Sequence, residues 1–355
     1  MNNESIFIRY DRVGKNVIEQ SLWFLFFRFV IACLAVPGNA IIIVTILKSP
    51  RMCSRAYNIL IAQLAASDMI IGVGLFIRVI STAIQKLHPA HDYTEMYCVS
   101  ISSIFVFGIQ FSQLSILLIA VDRMRAIRCP IRYKNKDPLW YPLRCIVTCV
   151  FVASFGVMML YVKVDPHNNI PVCTLSAADI RSFAPYWLAF SFICFLAIFG
   201  SYGYTMYLIH HSNEIQKKIE TSREFARQKR VFLTISVVLV SYFICYMCPL
   251  TTLIGGLIFN ASDELLSLII LVYGVASCVN AASNILLYGW KYKELRIAMV
   301  RLVKGEMAPR NRSVRTDGTN FDGSRCASVK RKPTLLPCDS KTQIAFSLAD
   351  GDVLL

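Results

Sequence analysis

The chain has 355 residues, of which 55% are hydrophobic and 17% are charged. A soluble domain carries roughly a quarter charged residues, so this composition points to a chain solvated by lipid. The net charge of +15 raises nucleic acid as a partner, but the placement of the basic residues, described below, argues for no nucleic acid.

Residues 1–21 are polar and mixed in charge. They read as an extracellular N-terminus and not as a signal peptide, because the apolar run that begins near Ser21 is too long for an h-region. Crossing about 30 Å of hydrocarbon takes roughly 20 mostly apolar residues. Seven runs qualify, at about 22–47, 57–82, 99–121, 143–163, 183–209, 231–259 and 265–289. They are apolar all round, and backbone groups in lipid must bond within their own segment, so these runs are predicted to be helices. The expected fold is an all-α membrane protein, a seven-transmembrane helix bundle over 22–302. After the seventh span, the basic amphipathic stretch from Lys291 to Leu302 reads as a short helix on the membrane surface. Residues 303–355 read as a disordered cytoplasmic tail.

Lys and Arg set the orientation. The 48–56, 122–144 and 210–230 loops and the tail hold 29 of the 37 basic residues, whereas the alternate loops hold Lys86, Lys163 and Arg181. The N-terminus is therefore expected outside and the tail in the cytoplasm, in a multi-pass plasma membrane protein. The sequons at Asn3 and Asn260 fall on the predicted outer side and are candidate glycosylation sites. A third, at Asn311, falls inside and should be silent.

Polar residues within the spans come next. Asn39 lies in the first span, Asp68 in the second, Ser112 in the third, and Asn280 and Asn284 in the seventh. Such groups could converge on one polar core or serve to hold helices together. Asp68 is the hardest to dismiss, because a carboxylate at membrane depth needs a proton, a cation or donors. Arg78, near the outer end of the second span, could hold a carboxylate through its fork or snorkel to the interface. Cys98 and Cys173 fall in outer loops, where a bridge would pin the second outer loop to the top of span three, unless both are free thiols. Seven of the thirteen cysteines, Cys33, Cys145, Cys149, Cys194, Cys245, Cys248 and Cys278, lie in apolar runs, where Cys acts as a small hydrophobe. No paired CxxC motifs or His cluster supports a metal site. Arg123 is 25 residues beyond Cys98, about 37 Å along a helix, at the opposite membrane face. Beside Asp122 it can be held in a local ion pair and released.

These pieces resemble a rhodopsin-like (class A) G-protein-coupled receptor. The matching segments are Gly38-Asn39, Leu64-Ala65-Ala66-Ser67-Asp68, the Cys98 and Cys173 pair, the run from Asp122-Arg123-Met124 to Tyr133, Phe243 with Pro249, and Asn284-Ile285-Leu286-Leu287-Tyr288. The departures are Met124 for the usual Tyr, Met247 for the Trp two residues before the span-six proline, and Ile285 for the proline of the last motif. Span four lacks its usual Trp, and span five its usual proline. This pattern is most similar to nematode serpentine chemoreceptors of the Srsx type. The resemblance implies that Asp122, Arg123 and Ile131 serve coupling to a heterotrimeric G protein. It implies an activation switch of Phe243, Met247, Pro249, Asn284 and Tyr288. It also implies an allosteric Na+ among Asn39, Asp68, Ser112, Asn280 and Asn284, with no required cofactor.

The ligand would enter from outside. Phe105 stands where amine receptors of the family carry Asp, which argues against an amine. Arg78, Phe105, Gln110, Thr251, Tyr273 and Ser277 are the expected pocket residues, and the short outer loops favour a small molecule or short peptide. Ser313 and Ser328 lie in basic contexts that a receptor kinase could modify, with arrestin as a further partner of the tail. An enzyme is not expected, because all five histidines lie in loops or at span ends. The competing reading is a seven-helix protein without G-protein coupling, a decoy receptor or a transporter.

Overall fold

The computed structural model describes residues 21–87, 93–128, 133, 140–162, 164–170, 183–216, 232 and 236–305. Asn3, Ile131, Cys173, the Asn311 sequon, Ser313, Ser328 and nearly all of the predicted tail lie outside them.

Seven helices are long and apolar enough to cross a membrane. They are α1 (Leu22–Lys48), α2 (Ala56–Leu87), α3 (Glu95–Arg128), α4 (Trp140–Leu160), α5 (Phe183–Gln216), α6 (Ser236–Ile258) and α7 (Asp263–Lys291). The amphipathic α8 (Lys293–Val303) follows. Local chemistry fixes several ends. The hydroxyls of Ser21 and Ser262 accept from the backbone N–H groups of Phe24 and Leu265, at 3.2 and 3.3 Å, and so cap α1 and α7. Lys48, Arg128 and Lys291 sit in the last turns of α1, α3 and α7, where cations meet the negative end of the helix dipole.

Most helices overrun the expected spans. α3 has 34 residues, about 51 Å at 1.5 Å per residue, because hydropathy marks the lipid-embedded stretch while the helix continues into the headgroups. One expectation is corrected. Span four stops at Leu160 and not at 163, where the chain turns with Tyr161 N–H donating to the carbonyl of Met158. The continuously described part of span six begins at Ser236, and Phe232 ahead of it is helical as well. The sequence reading also missed a strand pair: β1 (Tyr93–Thr94) runs antiparallel to β2 (Asn169–Ile170). The pair is reinforced by Glu95 N–H donating to the Asn168 carbonyl and Asn168 Nδ2 donating to Glu95 Oε2.

The burial pattern is that of a membrane protein. Trp23, Phe151 and Leu286 are 84%, 75% and 72% exposed, while Asn39, Asp68, Ser112, Asn280 and Asn284 are buried. Water would penalise a large exposed apolar shell, whereas hydrocarbon favours it and drives the polar groups inward.

α3 runs through the middle of the bundle against α2, α4 and α5. Its seam with α2 is backbone on backbone. A Cβ on Gly74 would meet the Cα and N of Phe105 at 2.8 Å, and one on Gly108 would meet the backbone N of Ile71 at 2.8 Å. Small residues at such positions let two spans approach closely. On α8, Leu295 and Met299 are buried, while Ile297, Val300 and Val303 are exposed, as a helix lying on a membrane surface requires.

Candidate functional site

The polar residues fall into three layers along the bundle, with a cavity at one end. At the end opposite Cys98, Arg123 is 1% exposed and paired with Asp122. Its Nε and Nη2 both donate to Asp122 Oδ2, and Nη2 also donates to the Tyr133 hydroxyl at 2.8 Å. The Tyr133 hydroxyl donates to Asp122 Oδ2 at 3.1 Å, closing the ring. Burial, with the Asp122 carboxylate beside it, pushes the Tyr133 phenol above its ordinary range, so it keeps the proton it donates. The guanidinium also lies 4.7 Å from the centre of the Tyr57 ring. A buried ion pair is a costly way to stabilise a fold, and this one keeps a cation at the edge of the bundle in a single geometry. The expected Asp122–Arg123 pair is thus present in the structure. Tyr57 was missed as a partner because a Tyr at the edge of an apolar span reads as an interfacial anchor, and Tyr133 because it stands in the connection that follows the span, ten residues from Arg123.

Tyr57 belongs to a larger network. Arg55 Nη1 donates to the Tyr57 hydroxyl at 3.1 Å and to Glu294 of α8 at 2.6 Å. Burial disfavours the charge on Arg55, but Tyr57 and Glu294 outweigh it and push its pKa up. The Tyr57 and Tyr292 hydroxyls are 2.9 Å apart, and Tyr292 donates to Asn58 Oδ1 at 2.8 Å.

The middle layer centres on Asp68, which is fully buried. Ser112 Oγ donates to Asp68 Oδ1 at 3.0 Å, and Asn284 Nδ2 donates to Oδ2. Three of the five expected residues therefore converge, from α2, α3 and α7. Asn39 and Asn280 make no hydrogen bond to Asp68. Asn39 Nδ2 donates to the carbonyls of Ala35 and Ala281, both at 2.9 Å, which ties α1 to α7. Asn280 Oδ1 accepts from Ser241 Oγ of α6 at 2.8 Å. Two buried amide oxygens, Asn39 Oδ1 and Asn284 Oδ1, have no hydrogen-bond partner among the described residues. A carboxylate with surplus amide and hydroxyl oxygens is the donor set of a hard cation such as Na+. Among the described residues no group of three or more His, Cys, Asp or Glu could hold a metal.

Above this layer α6 changes pitch. Residues Phe243–Met247 form a π-helical turn ahead of Pro249. Proline has no N–H to offer the carbonyl four residues back, and a wider turn accommodates that loss. The extra residue per turn shifts the register. Phe243 points outward, 41% exposed and edge-on to Phe199. Tyr242 and Tyr246 take the inward positions, fully buried and stacked with centroids 5.0 Å apart. Met247 and Tyr288 are buried as well. Tyr246 meets Tyr273 edge-on at 6.1 Å, and Tyr273 meets Trp187 edge-on at 6.3 Å. This aromatic path was missed, because the motif drew attention to positions 243 and 247.

The path leads to a cavity of about 110 Å3 at the Cys98 end. Arg78, Phe105 and Tyr273 line it as expected, joined by Arg28, Phe183 and Trp187, which the sequence reading did not single out. Three expected liners are elsewhere. Gln110 is buried deeper and accepts from the Tyr186 hydroxyl at 3.0 Å. Ser277 turns back to the Tyr273 carbonyl at 2.8 Å. Thr251 lies on the exposed face of α6 and bonds the Met247 carbonyl at 2.9 Å. Short hydroxyl side chains in helices satisfy themselves on their own backbone, and spacing alone does not reveal it. Cys98 is held in a disulfide; its expected partner Cys173 lies outside the described residues. Asn260 stands in the turn between α6 and α7 in the left-handed region, at φ 53°, which Asn tolerates better than most residues.

Comparison with known proteins agrees with this architecture. The family of serpentine-type 7TM GPCR chemoreceptors, Srsx, matches residues 32–303. The chain is similar to neuropeptide Y receptor type 6 of Oryctolagus cuniculus, 23% identical over 77% of this chain and 78% of the relative. It is 21% identical to the histamine H2 receptor of Cavia porcellus, over 89% of this chain and 90% of the relative. It is also 21% identical to adenosine receptor A3 of Ovis aries, over 80% and 90%. The family and these relatives are receptors, and the match runs from within the first span through the seventh: the chain belongs to the Srsx family of serpentine-type seven-transmembrane G-protein-coupled receptor chemoreceptors.

Proposed function

We propose that this receptor sits in the plasma membrane with its N-terminus outside, binds a small molecule in the cavity beside Arg78, and promotes nucleotide exchange on a Gα subunit at Arg123. The observation that carries the coupling reading is the restrained arginine. Arg123 is buried, held by Asp122 and Tyr133 and stacked on Tyr57, so a movement of α6 and the neighbouring loops would release a cation toward the cytoplasm. The π-helical turn before Pro249 supports α6 as the moving element, because such turns occur frequently at functional sites and proline leaves a carbonyl of the helix without its partner. The aromatic path from Trp187 through Tyr273 to Tyr246 takes the place of the usual span-six tryptophan in linking cavity to α6. Orientation rests on the basic loops.

The relatives are named for a peptide, an amine and a nucleoside, so they do not narrow the ligand. Phe105 in the cavity argues against an amine. Asp68 with Ser112 and Asn284 is the place for an allosteric Na+; bound there it would supply positive charge to a buried carboxylate. Arrestin and a receptor kinase are further partners proposed for the tail, and glycosylation is proposed for Asn3 and Asn260. The disulfide of Cys98 is assigned to Cys173.

The test is nucleotide exchange by a set of Gα subunits in membranes that carry the receptor, with and without ligand. Arg123→Ala should abolish exchange and leave surface expression largely intact. A receptor with a proven bound ligand that drives no Gα would favour the decoy reading, to which the altered Met247 and Ile285 lend some weight.

A further inference from the structure

Two arginines line the outer cavity from different helices. Arg28 lies six residues into α1 and Arg78 nine residues before the end of α2, roughly 9 and 13 Å along their helices. A charged group inside a span is expensive and marks function by default. Here two of the same sign open on one space, and among the described residues that line it there is no Asp or Glu. Each guanidinium is laid over an aromatic face, Arg28 over Phe24 at 4.3 Å and Arg78 over Phe105 at 5.7 Å. This stacking orients a planar fork while leaving its edge for hydrogen bonding. A guanidinium has five N–H donors, so a contact already made by either arginine leaves others to offer. The rest of the wall is apolar, with Leu75, Trp187, Leu250 and Leu253 among its members. The cavity, at about 110 Å3, is of the same order as an engineered one of about 150 Å3 that holds benzene.

We infer that the ligand class is a small organic monoacid, its acid group held between Arg28 and Arg78 and its ring or short hydrocarbon body packed against Phe105 and Trp187. The inference rests on the reading of this cavity as the ligand site. It favours an acid without an amine, because an ammonium would meet two like charges.

The experiment measures binding to the full-length receptor in nanodiscs by isothermal titration. The probes are 3-phenylpropionate, its alcohol 3-phenylpropanol and its amine 3-phenylpropylamine, with octanoate as a ringless acid. The acid should bind more tightly than the alcohol and amine by roughly tenfold or more, the worth of a hydrogen bond to a charged group. Octanoate against 3-phenylpropionate tells a hydrocarbon from an aromatic body. Arg28→Gln and Arg78→Gln should each lower the affinity for the acid by about tenfold to a hundredfold and leave that for the alcohol unchanged. If either Gln variant fails to fold, Arg28→Lys and Arg78→Lys, which keep the charge and lose the fork, should give intermediate affinity. Equal binding of alcohol or amine, no binding of either acid, or acid affinity untouched by these substitutions would overturn the inference. No Gα subunit is in the assay, so acid binding without nucleotide exchange would sink the coupling reading and leave this one standing. Exchange evoked by a non-acid, with no acid bound, would do the reverse.

Discussion

The phenolic oxygens of Tyr57 and Tyr292 stand 2.9 Å apart where α2 meets the junction of α7 and α8. A phenol has one proton, and that of Tyr292 is committed to Asn58 Oδ1, so Tyr57 donates to Tyr292. Arg55 donates to Tyr57, and Asn58 Nδ2 donates onward to the Met52 carbonyl at 2.9 Å. The four bonds point the same way, and bonds in such a chain polarise one another. One end is anchored on α8 through Glu294, and the Tyr57 ring lies beside the guanidinium of Arg123. The position of α8 and the restraint on Arg123 are thereby joined through one side chain.

Replacing either hydroxyl tests that link. Tyr57→Phe keeps the ring beside Arg123 and removes the bond. It and Tyr292→Phe should each lower stability by about 1 kcal/mol, with a larger cost where the deletion strands a buried partner. In the double variant the losses should fall short of their sum by about 0.5–1.5 kcal/mol, read by thermal unfolding in detergent. Strict additivity would mean that the two phenols are neighbours without being coupled. Tyr57→Ala, which removes the ring itself, should in addition raise ligand-free exchange on Gα.

What the sequence makes legible follows from how each residue is satisfied. Hydropathy is a property of runs, so seven spans and an amphipathic α8 can be read from it, and so can the depth of Asp68 and the end that carries Arg123. Bonding partners are properties of packing. Nothing in the sequence says that Asn280 turns to Ser241 or that Ser277 and Thr251 bond their own backbones. The π-helical turn is less legible still, because it shifts register within an otherwise regular run, so Phe243 faces outward and Tyr242 and Tyr246 face in. Arg28 was passed over because a lone arginine near a span end reads as an anchor. Its partner across the cavity, Arg78, is 50 residues away in sequence, and the fold brings both to one space.

The ring of Asp122, Arg123 and Tyr133 makes a second prediction. Asp122→Asn removes the charge that holds Arg123 and should raise ligand-free nucleotide exchange. Tyr133→Phe removes one bond to each partner but leaves the ion pair, so it should raise exchange less. The order, Asp122→Asn above Tyr133→Phe above wild type, is checked by GTPγS uptake in membranes at matched receptor density. Unchanged or lowered basal exchange in Asp122→Asn would show that the pair does not restrain Arg123.

The Asp68 layer makes a third. If Na+ binds there, NaCl should raise the thermal midpoint of the ligand-free receptor above that in choline chloride at equal ionic strength. At a Na+ concentration about five times Kd the stabilisation is about 1 kcal/mol. Asp68→Asn should abolish the difference between the two salts, because an amide keeps the shape and removes the charge. Asn280→Ala should leave the difference in place, since Asn280 bonds Ser241 and not Asp68. A salt difference that survives Asp68→Asn would place the cation elsewhere.

The seam between α2 and α3 gives the sharpest contrast. Gly74→Ala and Gly108→Ala would each drive a methyl group into backbone atoms at 2.8 Å, and a backbone cannot swing aside as a side-chain tip can. The helices must separate, at a cost of about 1–3 kcal/mol for overpacking. Because Gly74 opposes Phe105, which lines the cavity, Gly74→Ala should also weaken ligand binding at a given folded fraction. Gly200 and Gly203 of α5 face open space, with nothing within 4 Å of an added Cβ. Alanine there should be neutral or slightly stabilising, since glycine within a helix costs roughly 0.5–1 kcal/mol relative to alanine. Thermal midpoints of the four variants in one detergent decide the matter. Equal tolerance at all four would show that α2 and α3 do not meet as closely as 2.8 Å implies, and the placement of Phe105 at the cavity wall would fall with it.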